Sequence, residues 1–267
     1  MYFYIEGITM FSDLKGKRIL ITGSTEGIGM ATAIELARYG AVVGLNSHVD
    51  PADPALLLGK LREAGGDGAF FRADITKTAE CQRLVSAFVE RFDGIDVLIN
   101  NAGGLAGRSN LENIDDAFYD RVMDLNGRSV LMMTKFAIPH LRASAKASGT
   151  TSAVISTGSI AAREGGGIGA GVYAASKAWL HDIHRNWVKE FTKDSIRFNI
   201  VAPGTVDTAF HADKSDELKT RIANSIPMGR FGTVQELAPA YVFFASHAAS
   251  GYITGQILDV NGGQICP

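Results

Sequence analysis

Along the chain, short apolar and β-branched runs alternate with longer stretches in which apolar residues recur every third or fourth position. That alternation predicts strands returning parallel through crossover helices, an α/β architecture. Seven runs read as strands: Arg18–Thr22, Ala41–Asn46, Ala69–Arg72, Val97–Asn100, Ser152–Thr157, Arg197–Ala202 and Ile257–Val260. Helical patterns fill the gaps, and two are long, from about Ile114 to Arg142 and from about Gly171 to Phe191. Their exposed faces are candidate subunit contacts. Apart from the Gly165-Gly166-Gly167 cluster and the polar stretch Thr205–Arg230, no repeat, linker or low-complexity tract interrupts the series. A single domain over residues 14–267 is expected, after an N-terminal extension of residues 1–13 whose Met1–Thr9 part is apolar and aromatic without caps or period.

Composition narrows the function classes. A length of 267 residues allows one large core. The 26 Lys+Arg against 28 Asp+Glu leave a formal charge of −2, with no basic run, which argues against nucleic-acid binding. No apolar run approaches the ~18–20 residues that span a bilayer, and Met1–Thr9 lacks the basic start of a secretory signal, so a cytoplasmic protein without membrane contact is expected. Cys81 and Cys266 belong to no Cys-x-x-Cys or metal-spaced cluster, so neither a disulfide framework nor a metal is expected. His181 and His184, three apart in a helical pattern, read as structural. Glycine is the outlier, with 30 residues.

Several of those glycines sit where a strand turns at once into a helix, in Thr22-Gly23-Ser24-Thr25-Glu26-Gly27-Ile28-Gly29 ahead of the helical run Met30–Tyr39. Without side chains at these places, backbone amides and the positive end of the helix can face a pyrophosphate. The Gly-x-x-x-Gly-x-Gly spacing is also compatible with a tight structural turn. Further on, Tyr173 and Lys177 stand four apart in a helical pattern, on one face, so a phenol and an ammonium can converge on one cleft. A tyrosine with a pKa near ~10 is a poor base at neutral pH, but adjacent positive charge favours the phenolate.

In this combination the chain resembles the short-chain dehydrogenase/reductase family, over nearly the whole length from Leu14 onward. The family's Thr-Gly-x-x-x-Gly-x-Gly pattern is met at every fixed position from Thr22 to Gly29, and its Asn-Asn-Ala-Gly signature by Asn100-Asn101-Ala102-Gly103. The resemblance implies a single-domain, Rossmann-type, doubly wound sheet of about seven parallel strands flanked by helices, binding NADP or NAD. It places Gly23, Ser24, Thr25, Glu26, Gly27, Ile28 and Gly29 at the phosphates, and Ser47 and His48 at the adenine ribose. Asp74 and Ile75 fall at the adenine, with Asn101, Ala102 and Gly103 along its ribose. Pro203, Gly204, Val206 and Thr208, in a Pro-Gly-x-x-x-Thr segment, are implied to hold the nicotinamide carboxamide.

The catalytic roles follow the same way. Tyr173 is implied as the proton donor or acceptor at the substrate oxygen, and Lys177 as the residue that lowers its pKa and binds the nicotinamide ribose. Ser159 is implied to bond the reacting oxygen, and Asn126 to help hold a relay water. Ser159 lies 14 residues before Tyr173, where 13 is more usual, so Ser156 and Thr157 stand as alternatives to it. The second strand ends without the carboxylate that selects against a 2′-phosphate; this tips the expectation narrowly to NADP, while Glu26, where many NADP-dependent relatives carry Lys or Arg, pulls toward NAD.

The expected reaction interconverts a secondary alcohol and a ketone or aldehyde, with a small polar substrate such as a sugar or polyol preferred. A 3-oxoacyl thioester carried by acyl carrier protein is the alternative, and a non-catalytic dinucleotide sensor the alternative of another class. Enoyl reduction is disfavoured by the four-residue Tyr–Lys spacing. Phe210, His211, Met228 and Arg163 are candidate pocket residues, and the resemblance implies a homotetramer.

Overall fold

The computed structural model describes residues 11–208 and 215–266. Its order is β1 (Arg18–Ile21), α1 (Gly27–Arg38), β2 (Val42–Ser47), α2 (Pro54–Glu63), β3 (Asp67–Arg72), α3 (Thr78–Phe92), β4 (Val97–Asn100) and α4 (Asp116–Met123). A π-helical turn, Asp124–Arg128, joins α4 directly to α5 (Ser129–Ser148). Then follow β5 (Ser152–Thr157), α6 (Ala161–Glu164), α7 (Gly171–Phe191), β6 (Ile196–Pro203), α8 (Asp216–Ser225), α9 (Val234–Ala245), α10 (His247–Ser250) and β7 (Ile257–Val260).

The strands form one parallel sheet in the order β3-β2-β1-β4-β5-β6-β7. Alternate strand residues serve opposite faces: Ile19 and Ile21, Val97 and Ile99, and Ala153 and Ile155 pack into one core cluster, with α1 and α9. The residues between them, Leu20, Leu98 and Val154, pack into the other, with α3, α5 and α7. Because helices cover both faces, these strands read as unbroken apolar runs rather than as alternating ones. The chain reverses its direction of winding between β1 and β4, which opens a crevice beyond their carboxyl ends, where ligands bind in such sheets.

Four strands differ from the sequence expectation at their ends. β3 begins at Asp67 rather than Ala69, because Asp67 and Gly68 pair with Val42 and Val43 although neither residue favours strands. β1 stops at Ile21, β2 runs from Val42 to Ser47, and β6 gains Ile196 and Pro203. The long helix expected from Ile114 to Arg142 is α4 and α5 with the π turn between them, extended to Ser148. At the other end, Asp13 accepts bonds from the Ser246 hydroxyl (2.7 Å) and the Ala248 amide (3.1 Å), and Phe11 packs edge-on to Tyr39, so residues 11–13 are part of the packed fold. Among the described residues no helix is long and apolar enough to cross a membrane.

Candidate active site

The turn after β1 is built by backbone needs first. Gly23 has φ +58°, and a Cβ there would meet Ala102 Cβ at 2.8 Å, so the loop can lie against the end of β4 only with glycine. Asn101 fastens it: its Nδ2 donates to the carbonyls of Thr22 (3.0 Å) and Gly23 (2.8 Å), while Thr22 Oγ1 accepts from the amides of Asn101 and Ala102, each at 3.1 Å. From β2, Asn46 secures the other side, accepting from the Gly23 amide through Oδ1 (3.3 Å) and donating through Nδ2 to the carbonyls of Phe71 (3.1 Å) and Ala73 (3.2 Å). Glu26 at the N-cap of α1 makes no capping side-chain bond, so the amides at the positive helix end remain available to a phosphate.

A cavity of ≈ 1030 Å³ runs from this loop across the carboxyl ends of the strands. Ser47, His48, Asp74 and Ile75 line one part of it, and Ser159, Tyr173, Pro203 and Thr208 another. That size and the row of polar groups fit a dinucleotide lying across the sheet.

At the second part, Ser159 follows β5 and forms a hydrogen bond with the Tyr173 phenol on α7. One turn further along α7, the Lys177 ammonium is buried, donates to the Thr157 carbonyl at 2.8 Å and stands 5.9 Å from the centre of the Tyr173 ring. Gly103 separates Lys177 from Asn126: a Cβ there would lie 2.9 Å from Asn126 Oδ1 and 3.0 Å from Lys177 Nζ. Behind them the Thr157 hydroxyl pairs with Tyr241 Oη at 2.8 Å.

Burial dominates the electrostatics. It pushes the Tyr173 phenol up, opposed by the bond with Ser159, and pushes Lys177 down to about 8. The resemblance implies that Lys177 lowers the phenol; in the protein alone, the larger influence on Tyr173 is its removal from water. A positively charged nicotinamide, when bound, adds a cation on the side that favours phenolate. Burial likewise pushes His181 down to about 4, so it stays neutral, and lowers the neighbouring His184. Cys81, pushed up to about 12, is an inert core thiol bonded to the Ile75 carbonyl.

The cavity gathers most of the residues singled out from the sequence: Gly23, Thr25, Glu26, Gly27, Ile28, Asn101, Ala102, Gly103, Gly204 and Val206 all line it, with those named above and Lys177. Ser24, Gly29 and Asn126 do not. The Ser24 hydroxyl is buried, donating to the Ile21 carbonyl (2.7 Å) and accepting from the Asn46 amide (2.9 Å). A side chain on Gly29 would strike the Gly23 carbonyl, so that glycine serves the packing of α1 on the loop. Asn126 lies under Gly103 and Gly104 rather than in the open space. Asn46, next to Ser47, lines the cavity but has its side-chain amide engaged by backbone carbonyls. Arg163 pairs with Asp259 (2.9 Å), Met228 is exposed away from the cavity, and Phe210 and His211 lie outside the described residues. The sequence reading did not single out Arg108 and Arg121, which also line the space.

Comparisons with known proteins agree with this geometry. A family model described as enoyl-(acyl carrier protein) reductase matches residues 23–264. An uncharacterised short-chain type dehydrogenase/reductase, y4mP, from Sinorhizobium fredii is 36% identical, covering 94% of this chain and 98% of its own. A crystal structure described as an NADH-dependent reductase, A1-R′, responsible for alginate metabolism is 96% identical, covers 96% of this chain and 100% of its own, and superposes with a TM-score of 0.91. A structure of A1-R′ complexed with NAD is 93% identical over 97% of this chain and 100% of its own, with a TM-score of 0.89.

Proposed function

The chain belongs to the short-chain dehydrogenase/reductase family, NAD(P)-dependent oxidoreductases of carbonyl and CH–OH groups, and from that premise we propose that it reduces a small polar ketone or aldehyde of the uronate type with NADH. The observation that carries this reading is the Ser159–Tyr173–Lys177 constellation, set in the same cavity as the glycine turn. The 96% identical reductase of alginate metabolism points to the substrate class, because alginate is a polymer of uronates.

The bound nicotinamide supplies a hydride to the carbonyl carbon. Tyr173 delivers its phenolic proton to the carbonyl oxygen, and Ser159, within hydrogen-bond reach of that phenol, donates to the same oxygen as negative charge develops on it. Lys177, fixed by the Thr157 carbonyl, holds positive charge beside the phenol and offers its remaining N–H donors to the nicotinamide ribose. Asn126 orders the Gly103–Gly104 backbone and aids the relay of a proton from solvent. Pro203, Gly204, Val206 and Thr208 hold the carboxamide, so that hydride donor and acceptor meet at about 3–3.5 Å.

NADH is favoured over NADPH by charge. Glu26 opens α1 beside the pyrophosphate site, and the Arg72 guanidinium at the end of β3 is paired with Asp50 (3.0 Å). A 2′-phosphate at Ser47 and His48 would meet a carboxylate and no unpaired arginine supplied by β3.

The test is NADH oxidation, followed by absorbance, with uronate-derived carbonyl compounds, sugars, polyols and 3-oxoacyl thioesters, each repeated with NADPH. Turnover confined to 3-oxoacyl thioesters overturns the substrate assignment. Full activity in Tyr173→Phe overturns the mechanism, and no turnover with any carbonyl supports the dinucleotide sensor instead. The proposal extends to residues 14–267, with residues 11–13 packed against them, acting as one catalytic domain in a cytoplasmic homotetramer. The fully exposed Tyr252 and the partly exposed Leu258 on β7 suit a subunit contact, which sedimentation tests.

A further inference from the structure

Two guanidinium groups reach the cavity from the side of the loop after β4, and nothing in the mechanism uses them. Arg108 lies in that loop and Arg121 in α4; both line the space that holds Ser159 and Tyr173. Each is tied by one N–H to a backbone carbonyl: Arg108 Nη1 donates to Ile168 at 2.9 Å, and Arg121 Nε to Ala106 at 3.2 Å. Arg121 also lies over the Phe118 ring, 5.5 Å from its centre, and a Cβ on Gly107 would touch that same ring at 3.4 Å. Thus Arg121 and the ring it covers hold residues 106 and 107, next to Arg108.

Among the described residues neither guanidinium forms a salt bridge with a carboxylate, whereas Arg163, close in sequence to the cavity residue Glu164, is paired with Asp259. The carboxylates that share the cavity are Glu26 and Asp74, toward the phosphate turn and the end of β3, and Glu164 and Asp207. A guanidinium has five N–H donors in a planar fork; with one tied back, the others keep the geometry that receives a carboxylate. The single tether restrains each fork while leaving it, among the described residues, outside any salt bridge.

Building on the uronate reading above, we infer that Arg108 and Arg121 form the subsite that binds the substrate's carboxylate and so select an acidic carbonyl compound over its neutral counterpart. Arg108 carries a second duty. Its bond to Ile168, with the Ser109 amide bonded to the Gly169 carbonyl at 3.0 Å, joins the loop after β4 to the glycine-rich loop before α7. The group that senses the carboxylate thereby also ties down the wall that follows Ser159. Arg121, anchored on α4, supplies charge without holding that wall.

The test separates carboxylate recognition from turnover. Binding of D-glucuronate and of D-glucose to the NAD-saturated enzyme is measured by titration calorimetry, in wild type, Arg121→Ala, Arg121→Lys and Arg108→Ala. Glucuronate is expected to bind at least about tenfold more tightly than glucose, with the difference shrinking as salt is added, because charge-assisted hydrogen bonds are stronger than neutral ones and exposed charge is screened. Arg121→Ala should remove most of that preference and Arg121→Lys should restore part of it; Arg108→Ala should weaken glucuronate in the same sense. In kinetics, the ratio of kcat/KM for uronate-derived carbonyls to that for neutral 2,3-butanedione should fall about tenfold or more in Arg121→Ala, mainly through KM. Equal affinity for the two sugars in wild type, or a preference unchanged in Arg121→Ala, overturns the inference. Absence of turnover with every carbonyl sinks the reductase reading alone, since the binding measurement stands without it.

Discussion

Asn126 and Gly104 exchange hydrogen bonds in both directions: Asn126 Nδ2 donates to the Gly104 carbonyl at 2.9 Å, and the Gly104 amide donates to Asn126 Oδ1 at 3.0 Å. The second hydrogen on Nδ2 goes to the Val122 carbonyl, also at 2.9 Å, within the helix that leads into the π turn. The side chain thus joins the turn to the loop that borders Lys177. Such π turns inside helices often mark functional positions.

Asn126→Ala removes all three bonds and leaves buried backbone groups without partners. It should cost about 1–3 kcal/mol of stability. If the residue acts by setting Gly103 and Lys177, kcat should fall while the KM for NADH changes little. Thermal unfolding together with steady-state kinetics checks this; a variant that is destabilised yet keeps wild-type kcat shows that the reciprocal bonds serve the fold alone.

Lys177 sets the pH dependence. Burial lowers its pKa to about 8, so the ammonium is lost as pH rises through that value, and with it the positive charge beside Tyr173. Burial raises the phenol, which therefore stays protonated at neutral pH and ready to give its proton in reduction. kcat/KM for carbonyl reduction should hold level below about pH 8 and decline above it. Tyr173→Phe should lose about a hundred- to ten-thousandfold, the usual range for a positioned acid. A reduction profile still flat at about pH 9.5 contradicts the role given to Lys177.

Part of this site is legible because it is local in the chain. Tyr173 and Lys177 are one helical turn apart, and the turn from Thr22 to Gly29 is contiguous, so spacing puts the first two on one face and marks the turn, while their roles came from the resemblance to the family. What stayed hidden depends on partners distant in sequence. Ser24 looks like a phosphate ligand until Asn46, 22 residues on, is seen bonded to its hydroxyl. The π turn adds less than a residue per turn to a helical period, too little to break the apolar pattern that runs through Asn126. The reach of Arg121 to Ala106 spans 15 residues and leaves no mark on periodicity, so composition alone counts it as one more surface charge.

Acid stability should depend on Asp96, just before β4, and Arg18 on β1. Burial alone would raise the Asp96 carboxyl, but bonds from the Arg18 side chain (2.8 Å to Nε) and backbone amide (2.8 Å), with the charges of Arg18 and Lys17, hold it below 3.8. Its folded pKa is depressed, so the pair's stabilisation is complete above the unfolded value and disappears as pH falls through the folded one. Asp96→Asn should cost about 1–3 kcal/mol at pH 7, the range for hydrogen bonds to a charged group, because Arg18 is only partly buried and keeps its bond to Ser144. The gap between variant and wild type should narrow in acid below 3.8. Denaturant titrations at several pH values measure this, and a gap that stays constant into strong acid contradicts the assignment.

The most local prediction compares two adjacent glycines. A Cβ on Gly103 would sit 2.9 Å from Asn126 Oδ1 and 3.0 Å from Lys177 Nζ, and neither neighbour can yield freely. Asn126 is held by its bonds to Gly104 and Val122, and Lys177 by Thr157 and by burial. On Gly104 the nearest atom to a Cβ is Leu125 Cδ2 at 3.9 Å, an ordinary contact, and neither glycine has a left-handed backbone. Gly103→Ala should therefore push the ammonium or the amide out of place and lower kcat about tenfold or more, since small displacements of positioned groups carry large rate costs. Gly104→Ala should remain within about twofold of wild type, lacking any such displacement. Circular dichroism and thermal unfolding establish that both variants fold, and kcat then separates them. Equal losses in both would mean that backbone freedom of the loop matters there, rather than the space between Asn126 and Lys177.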